Sequence, residues 1–203
     1  MKQSKAIVHE HFPDPHHGVY SRTLFGFWLY VLSDFILFGS LFAVYAVLHN
    51  NTFGGPSASQ LFSMEYALSE SLVLLLSSFT IGIGNAYAHR KQKGWTITYF
   101  LLSFAIGIVF LGMEFHEWAG YLRAGYSWKI SGFLSAYYTL VGTHAVHMFF
   151  ALLWVIVLII PVFYEGISHV SLRRLTCLKM FWQFLNIIWA FIFTFVYMMG
   201  VAT

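Results

Sequence analysis

Between Leu24 and Leu48 the chain carries a single charged side chain, Asp34, in a run dominated by Phe, Leu, Val and Ala. Four more runs of this kind follow: 66–88, 96–118, a long one over 136–163 inside Gly132–Phe163, and 178–200. A helix rises about 1.5 Å per residue, so about 20 mostly apolar residues cross the roughly 30 Å of hydrocarbon in a bilayer. Each run meets that length. Strands of a membrane barrel would alternate in character over about ten residues, whereas these runs are continuously apolar. The sequence therefore predicts an all-α integral membrane bundle of five transmembrane helices. Composition agrees: 59% of residues are hydrophobic and 9% charged, against roughly 25% charged in soluble domains. No soluble domain fits in what remains. A nucleic-acid partner is not expected at a net charge of +3. The single cysteine, Cys177, excludes an internal disulfide and a cysteine-only metal centre.

The connections are short. Asn50–Asn51 with Gly54–Gly55–Pro56 ends the first span, Arg90–Gly94 separates the second from the third, and Pro161 is expected to close the fourth. Residues 1–23 form a polar arm containing His9, His11, His16 and His17, read as a solvated tail, and residues 24–203 form the membrane domain. No cleavable signal peptide is expected, because the first apolar run begins late and is too long. Nine Lys and Arg residues fall on the side of the N-terminus and only Arg123 and Lys129 on the other. By the positive-inside rule the N-terminus is expected in the cytoplasm and the C-terminus in the periplasm. Tyr66, Trp118, Trp182 and Tyr197 are among the aromatics expected in the interfacial belts. Gly82, Gly84, Gly107 and Gly112 read as points of close helix packing.

Ionisable groups at membrane depth are costly, so each is a candidate for function. Asp34 lies roughly 15 Å into the first span. Glu70 sits one turn inside the second. Glu114 and Glu117, three apart, share a face of the third. His144 and His147 stand on the fourth. Against a functional role stand helix-bridging carboxyls and packing histidines. A di-iron centre would need Glu-x-x-His on two helices, and a b-type haem would need histidines from opposite sides; neither is visible. The depths of Glu70, Glu114 and His144 match on consecutive spans. This leads to the expectation that at least two of them hydrogen-bond, directly or through water, with Glu117 capping the group. No site is assigned as catalytic, cofactor-binding or metal-binding; Asp34, Glu70, Glu114, Glu117, His144 and His147 are candidates for a structural, lipid or proton-handling role.

Four motifs in order carry a resemblance. Gly107-x-x-Phe110-x-x-x-Glu114-x-x-Glu117-Trp118, the helix Phe133–His147 ending in Gly142-Thr-His144-Ala-Val-His147, Glu70–Ser78, and Phe181–Trp189 with Val196–Gly200 together resemble subunit III of haem–copper terminal oxidases. Gly26-Phe27-Trp28 and Leu32-Ser33-Asp34 look like that family's segment bearing a buried carboxylate. Five spans resemble the form found in bo-type ubiquinol oxidases. Gln183 stands where the family usually has His, Asn186 where it has Asp, and Ala145 where it has Gly.

The resemblance implies a non-catalytic subunit of a proton-pumping quinol oxidase of aerobic respiration, in the bacterial inner membrane. It implies direct docking on subunit I, with subunits II and IV in the complex. Haem and copper are then expected in subunit I and none in this chain, and phospholipid is expected to be bound. The family's subunit III is further expected to support assembly and sustained proton uptake. Alternatives are the accessory five-span subunit of a nitric oxide reductase or a cytochrome c oxidase, and, in a different class, a small di-haem membrane cytochrome. A transporter would show inverted repeats and broken helices, and neither is apparent.

Overall fold

The computed structural model describes the backbone of residues 15–202 and the side chains of residues 22–200. All the regular structure among them is helical. The long helices are α1 (Pro15–Leu48), α3 (Met64–His89), α4 (Lys93–Arg123), α5 (Gly132–Glu165) and α6 (His169–Ile192). A four-residue helix, α2 (Ala58–Leu61), lies in the first connection, and α6 continues through a π-helical turn (Phe193–Met198) into α7 (Met199–Ala202). Five helices are long and apolar enough to cross a membrane, so the all-α, five-span class holds. Helix α1 begins inside the arm assigned to 1–23; the arm histidines His9 and His11 lie outside the described residues.

The helices overrun the apolar cores that signal them, because caps rather than hydrophobicity set their ends. Helix α6 starts nine residues before Leu178, where the Ser168 hydroxyl accepts the Ser171 N–H at 3.1 Å. Helix α5 does not close at Pro161 but runs one turn further, to Gly166 with φ +80°. Burial of Leu158 and Val162 holds that last turn helical although proline removes one backbone hydrogen bond.

Packing arranges α3, α4, α5 and α6 in a ring, each against the next and α6 back against α3, while α1 lies outside on α5 and α6. Close approach inside the ring is set by two glycines. A Cβ on Gly84 would meet Phe100 and Tyr99 at 2.9–3.0 Å, and one on Gly107 would meet Leu152 and Trp182 at 3.0 Å. Gly82 and Gly112, expected to pack likewise, have nothing within 4 Å of such an atom and face outward. Buried polar pairs bridge the ring. Trp182 donates to the Ser77 hydroxyl at 2.9 Å, Trp189 to the Ser71 hydroxyl at 3.0 Å, and Thr80 pairs with Ser103 at 2.8 Å. In lipid such bonds contribute about 0.6 kcal/mol each on average. Trp182 and Tyr197, expected in the belts, are instead fully buried in the ring, because each has a polar partner inside it.

Helix α1 presents Val31, Asp34, Phe38 and Tyr45 to the ring, a spacing close to the 3.5-residue seam of paired helices. Asp34 therefore faces protein rather than lipid.

Candidate functional site

Two groups of buried ionisable side chains sit in this bundle. The first lies toward the end that carries the α1–α3 and α4–α5 connections. Glu70 comes from α3, and Glu114 and Glu117 from one face of α4; all three are buried and within electrostatic reach of one another. Their surroundings differ sharply. The Glu117 carboxylate accepts from Tyr121 at 2.7 Å, Tyr197 at 3.0 Å and Tyr137 at 3.2 Å. Tyr121 is one turn along α4, Tyr137 is near the start of α5, and Tyr197 belongs to the π-helical turn. The i→i+5 bonding within that turn changes the rotation per residue, and Val196 and Tyr197 both face inward. The Tyr137 and Tyr197 oxygens are themselves 3.2 Å apart. Each phenol has one hydrogen, so a hydroxyl that donates to Glu117 can reach the other phenol oxygen as a donor only by rotating away from the carboxylate.

Above this group Phe62, just after α2, is wedged against Tyr137 and Tyr197, with ring centroids 4.9 Å away in both cases. Ala58 of α2 lies against Gly200, where a Cβ would come within 2.9 Å of it. The first connection thus closes that end over the tyrosines.

Glu70 and Glu114 have no hydrogen-bond partner for any of their four carboxyl oxygens among the described residues. Direct bonding among Glu70, Glu114 and His144, expected from their matched depths, is not made. His144 turns toward α6 instead, its Nε2 at 3.1 Å from the Leu185 carbonyl oxygen and its ring between Phe110 and Trp189. Depth along a helix places residues on one level, but the rotational setting of each helix decides which of them meet. Nor does Glu117 merely cap the group: it is the member with the most partners. Tyr121, four residues from Glu117, was within reach of sequence reasoning; Tyr137 and Tyr197 are 20 and 80 residues distant and carried no such signal.

The second group joins α1 to α5. Asp34 Oδ2 lies 3.9 Å from His147 Nε2. His147 Nδ1 is 2.7 Å from the Thr143 carbonyl oxygen. A carbonyl only accepts, so Nδ1 carries the hydrogen, and Nε2 is the atom left to face Asp34. The separation is beyond a direct hydrogen bond but suits one bridging water. Phe38 and Phe181 flank the imidazole with centroids at 5.2 and 6.3 Å. His144 and His147, although three residues apart, thus serve different neighbours.

His144 and His147 do not form a haem or copper ligand pair. His144 and His147 come from one helix, diverge, and use a ring nitrogen each on a backbone carbonyl, whereas a b-type haem takes axial ligands from opposite sides. No group of three His, Cys, Asp or Glu residues suited to a metal ion occurs among the described residues.

No protein-family model matches the chain. Individual relatives do. Cytochrome bo(3) ubiquinol oxidase subunit 3 of Pseudomonas aeruginosa is 40% identical over 97% of this chain and 99% of its own length. The chain belongs to the subunit III family of the haem–copper oxidases. The Pseudomonas putida subunit 3 of the same name is 38% identical over 91% of this chain and 89% of its own length. A cytochrome c oxidase subunit 3 from Bacillus sp. (strain PS3) is 38% identical over 86% of this chain and 84% of its own length. As a subunit III, the chain is a transmembrane component of a respiratory haem–copper oxidase, and both buried groups lie in its five-helix bundle.

Proposed function

We propose that this subunit III carries no redox centre, and serves a proton-pumping quinol oxidase by stabilising the assembled complex, binding phospholipid and sustaining proton uptake by subunit I. The observation that carries this reading is the pairing of two facts. The chain matches a ubiquinol oxidase subunit 3 at 40% identity over nearly its whole length. Its own buried groups include carboxyls, phenols and imidazoles that can hold and pass protons, and His144 and His147 diverge rather than forming a haem or copper ligand pair. In this reading it docks on subunit I, with subunits II and IV in the same assembly, in the bacterial inner membrane. The bias of Lys and Arg supports a cytoplasmic N-terminus and a periplasmic C-terminus. The acid–tyrosine group then lies in the periplasmic half, and Asp34 with His147 near mid-membrane.

The test is to strip this chain from the purified oxidase with detergent. All haem absorbance is expected to stay with the remaining subunits, initial quinol oxidation to persist, and inactivation during turnover to quicken. Haem leaving with this chain would overturn the reading. The 38% identity to a cytochrome c oxidase subunit 3 supports one second reading, a cytochrome c-oxidising complex. Assaying the intact complex with each donor separates the two.

A further inference from the structure

Glutamine 183 stands halfway along the span His169–Met198, at the depth where a bilayer offers only hydrocarbon. It lines an outward groove of about 770 Å³ between α3 and α6, whose other walls include Leu72, Leu75, Phe79 and Ile83. Ser78, near the middle of α3, lines the same groove. Among the described residues neither the Gln183 amide nor the Ser78 hydroxyl has a hydrogen-bond partner. Ser78 is the exception among its neighbours: Ser69, Ser71 and Ser77 all bond their hydroxyls to their own helix backbone. One turn along from Ser78 is Gly82, where nothing lies within 4 Å of an added Cβ. The groove therefore combines two unpaired hydrogen-bonding groups with a notch.

The outward groove between α4 and α5 makes the contrast. It too contains an open glycine, Gly112, but Phe104, Ile108, Phe149, Leu152 and Ile156 line it and no polar side chain does. Lipid chains satisfy such a surface. They cannot satisfy an amide and a hydroxyl at mid-depth, since headgroups lie roughly 15 Å away and unpaired polar groups in hydrocarbon are strongly disfavoured. Helices associate in lipid through small-residue notches and interhelical hydrogen bonds, and of these two grooves the α3–α6 one offers both.

We propose that the α3–α6 groove is the face on which this chain docks on another subunit of the oxidase. Its occupant is a transmembrane helix presenting a hydrogen-bonding side chain, a hydroxyl or carboxamide, against Gln183 and Ser78 at mid-membrane depth. This rests on the reading of the chain as part of an oxidase complex, and it adds the docking face and the chemistry of the partner helix.

The experiment uses the complex purified through a tag on this chain, with a photo-crosslinking benzoylphenylalanine at Phe79 or Ile83 in the groove, and at Phe149 in the α4–α5 groove. Adducts with another oxidase subunit are expected from Phe79 and Ile83 and not from Phe149. In parallel, Gln183→Leu and Gly82→Leu are each expected to lower retention of the chain in the complex, Gln183→Leu by roughly threefold to thirtyfold, the range for one interhelical hydrogen bond in lipid. Gly112→Leu, equally free of clashes within the chain, is expected to leave retention unchanged. Adducts only with lipid, only with a second copy of this chain, or only from Phe149 would overturn the docking face, as would full retention of both groove variants. If no other oxidase subunit co-purifies with the unaltered chain, the oxidase reading itself fails and the docking face with it.

Discussion

Glu117 and Glu70 are both buried carboxyls at one end of the same helical ring, yet one accepts three phenol hydrogen bonds and the other has no partner among the described residues. The difference lies in which elements surround them. Glu117 faces the start of α5 and the π-helical turn, both of which supply tyrosines. Glu70 faces Glu114, an acid that adds no donor unless it is itself protonated. Burial alone does not make a carboxyl a structural keystone; its donors do. Asp34 adds a third environment, a carboxyl that faces an imidazole 3.9 Å away.

Replacing Glu117 by Leu gives the sharpest break in this comparison. It strands the Tyr137 and Tyr197 hydroxyls in the core, and losing the acceptor of buried donors costs about 1–3 kcal/mol per stranded group. A loss of about 2–4 kcal/mol in stability is expected on that basis, read as a lowered Tm of the purified complex. If Glu117→Leu unfolds at the same temperature as the unaltered complex, the tyrosine cage is not a structural element.

Asp34→Ala tests the imidazole-paired carboxyl by function rather than stability. Initial quinol oxidation is expected to remain largely intact, with a working life shortened several-fold or weaker proton pumping, measured by oxygen uptake over repeated turnovers and by proton release from vesicles. Loss of all activity in the first turnovers, with normal assembly, would place Asp34 in the chemistry itself.

Tyr197→Phe removes one donor from Glu117 while Tyr121 and Tyr137 remain. The expected cost is about 1 kcal/mol, that of a single buried hydrogen bond. In the double variant with Tyr137→Phe the two costs are expected not to add, since the phenols share one carboxylate oxygen and lie 3.2 Å apart; simple additivity would show that they act independently.

The smallest effect is expected for Glu70→Gln. With no partner to lose and an isosteric amide in its place, stability is expected to change by less than about 1 kcal/mol, the lower bound for stranding a bonded polar group. A change as large as that of Glu117→Leu would mean that Glu70 holds an unseen partner, and would erase the contrast between the two acids.

The sequence carried much of this. Five long apolar runs with few charges determine five membrane helices, because an unpaired backbone cannot cross hydrocarbon in any other open form. The depth of Asp34, and the common face of Glu114 and Glu117, follow from helical rise and period. The family was legible from four motifs in order. What the sequence could not decide is how each helix is rotated about its axis and which neighbour it meets. That setting turned His144 away from the glutamates to the Leu185 carbonyl and brought Asp34 to His147. It buried Gly84 and Gly107 but left Gly82 and Gly112 on the surface, although all four look alike in the sequence. Tyr197 moved from an expected belt position to the core because a π-helical turn rephases the end of α6. The physical reason is one of scale: helix formation in a membrane is dictated locally by backbone hydrogen bonding, whereas rotational setting is a balance of many small packing and hydrogen-bond terms from residues far apart in the chain.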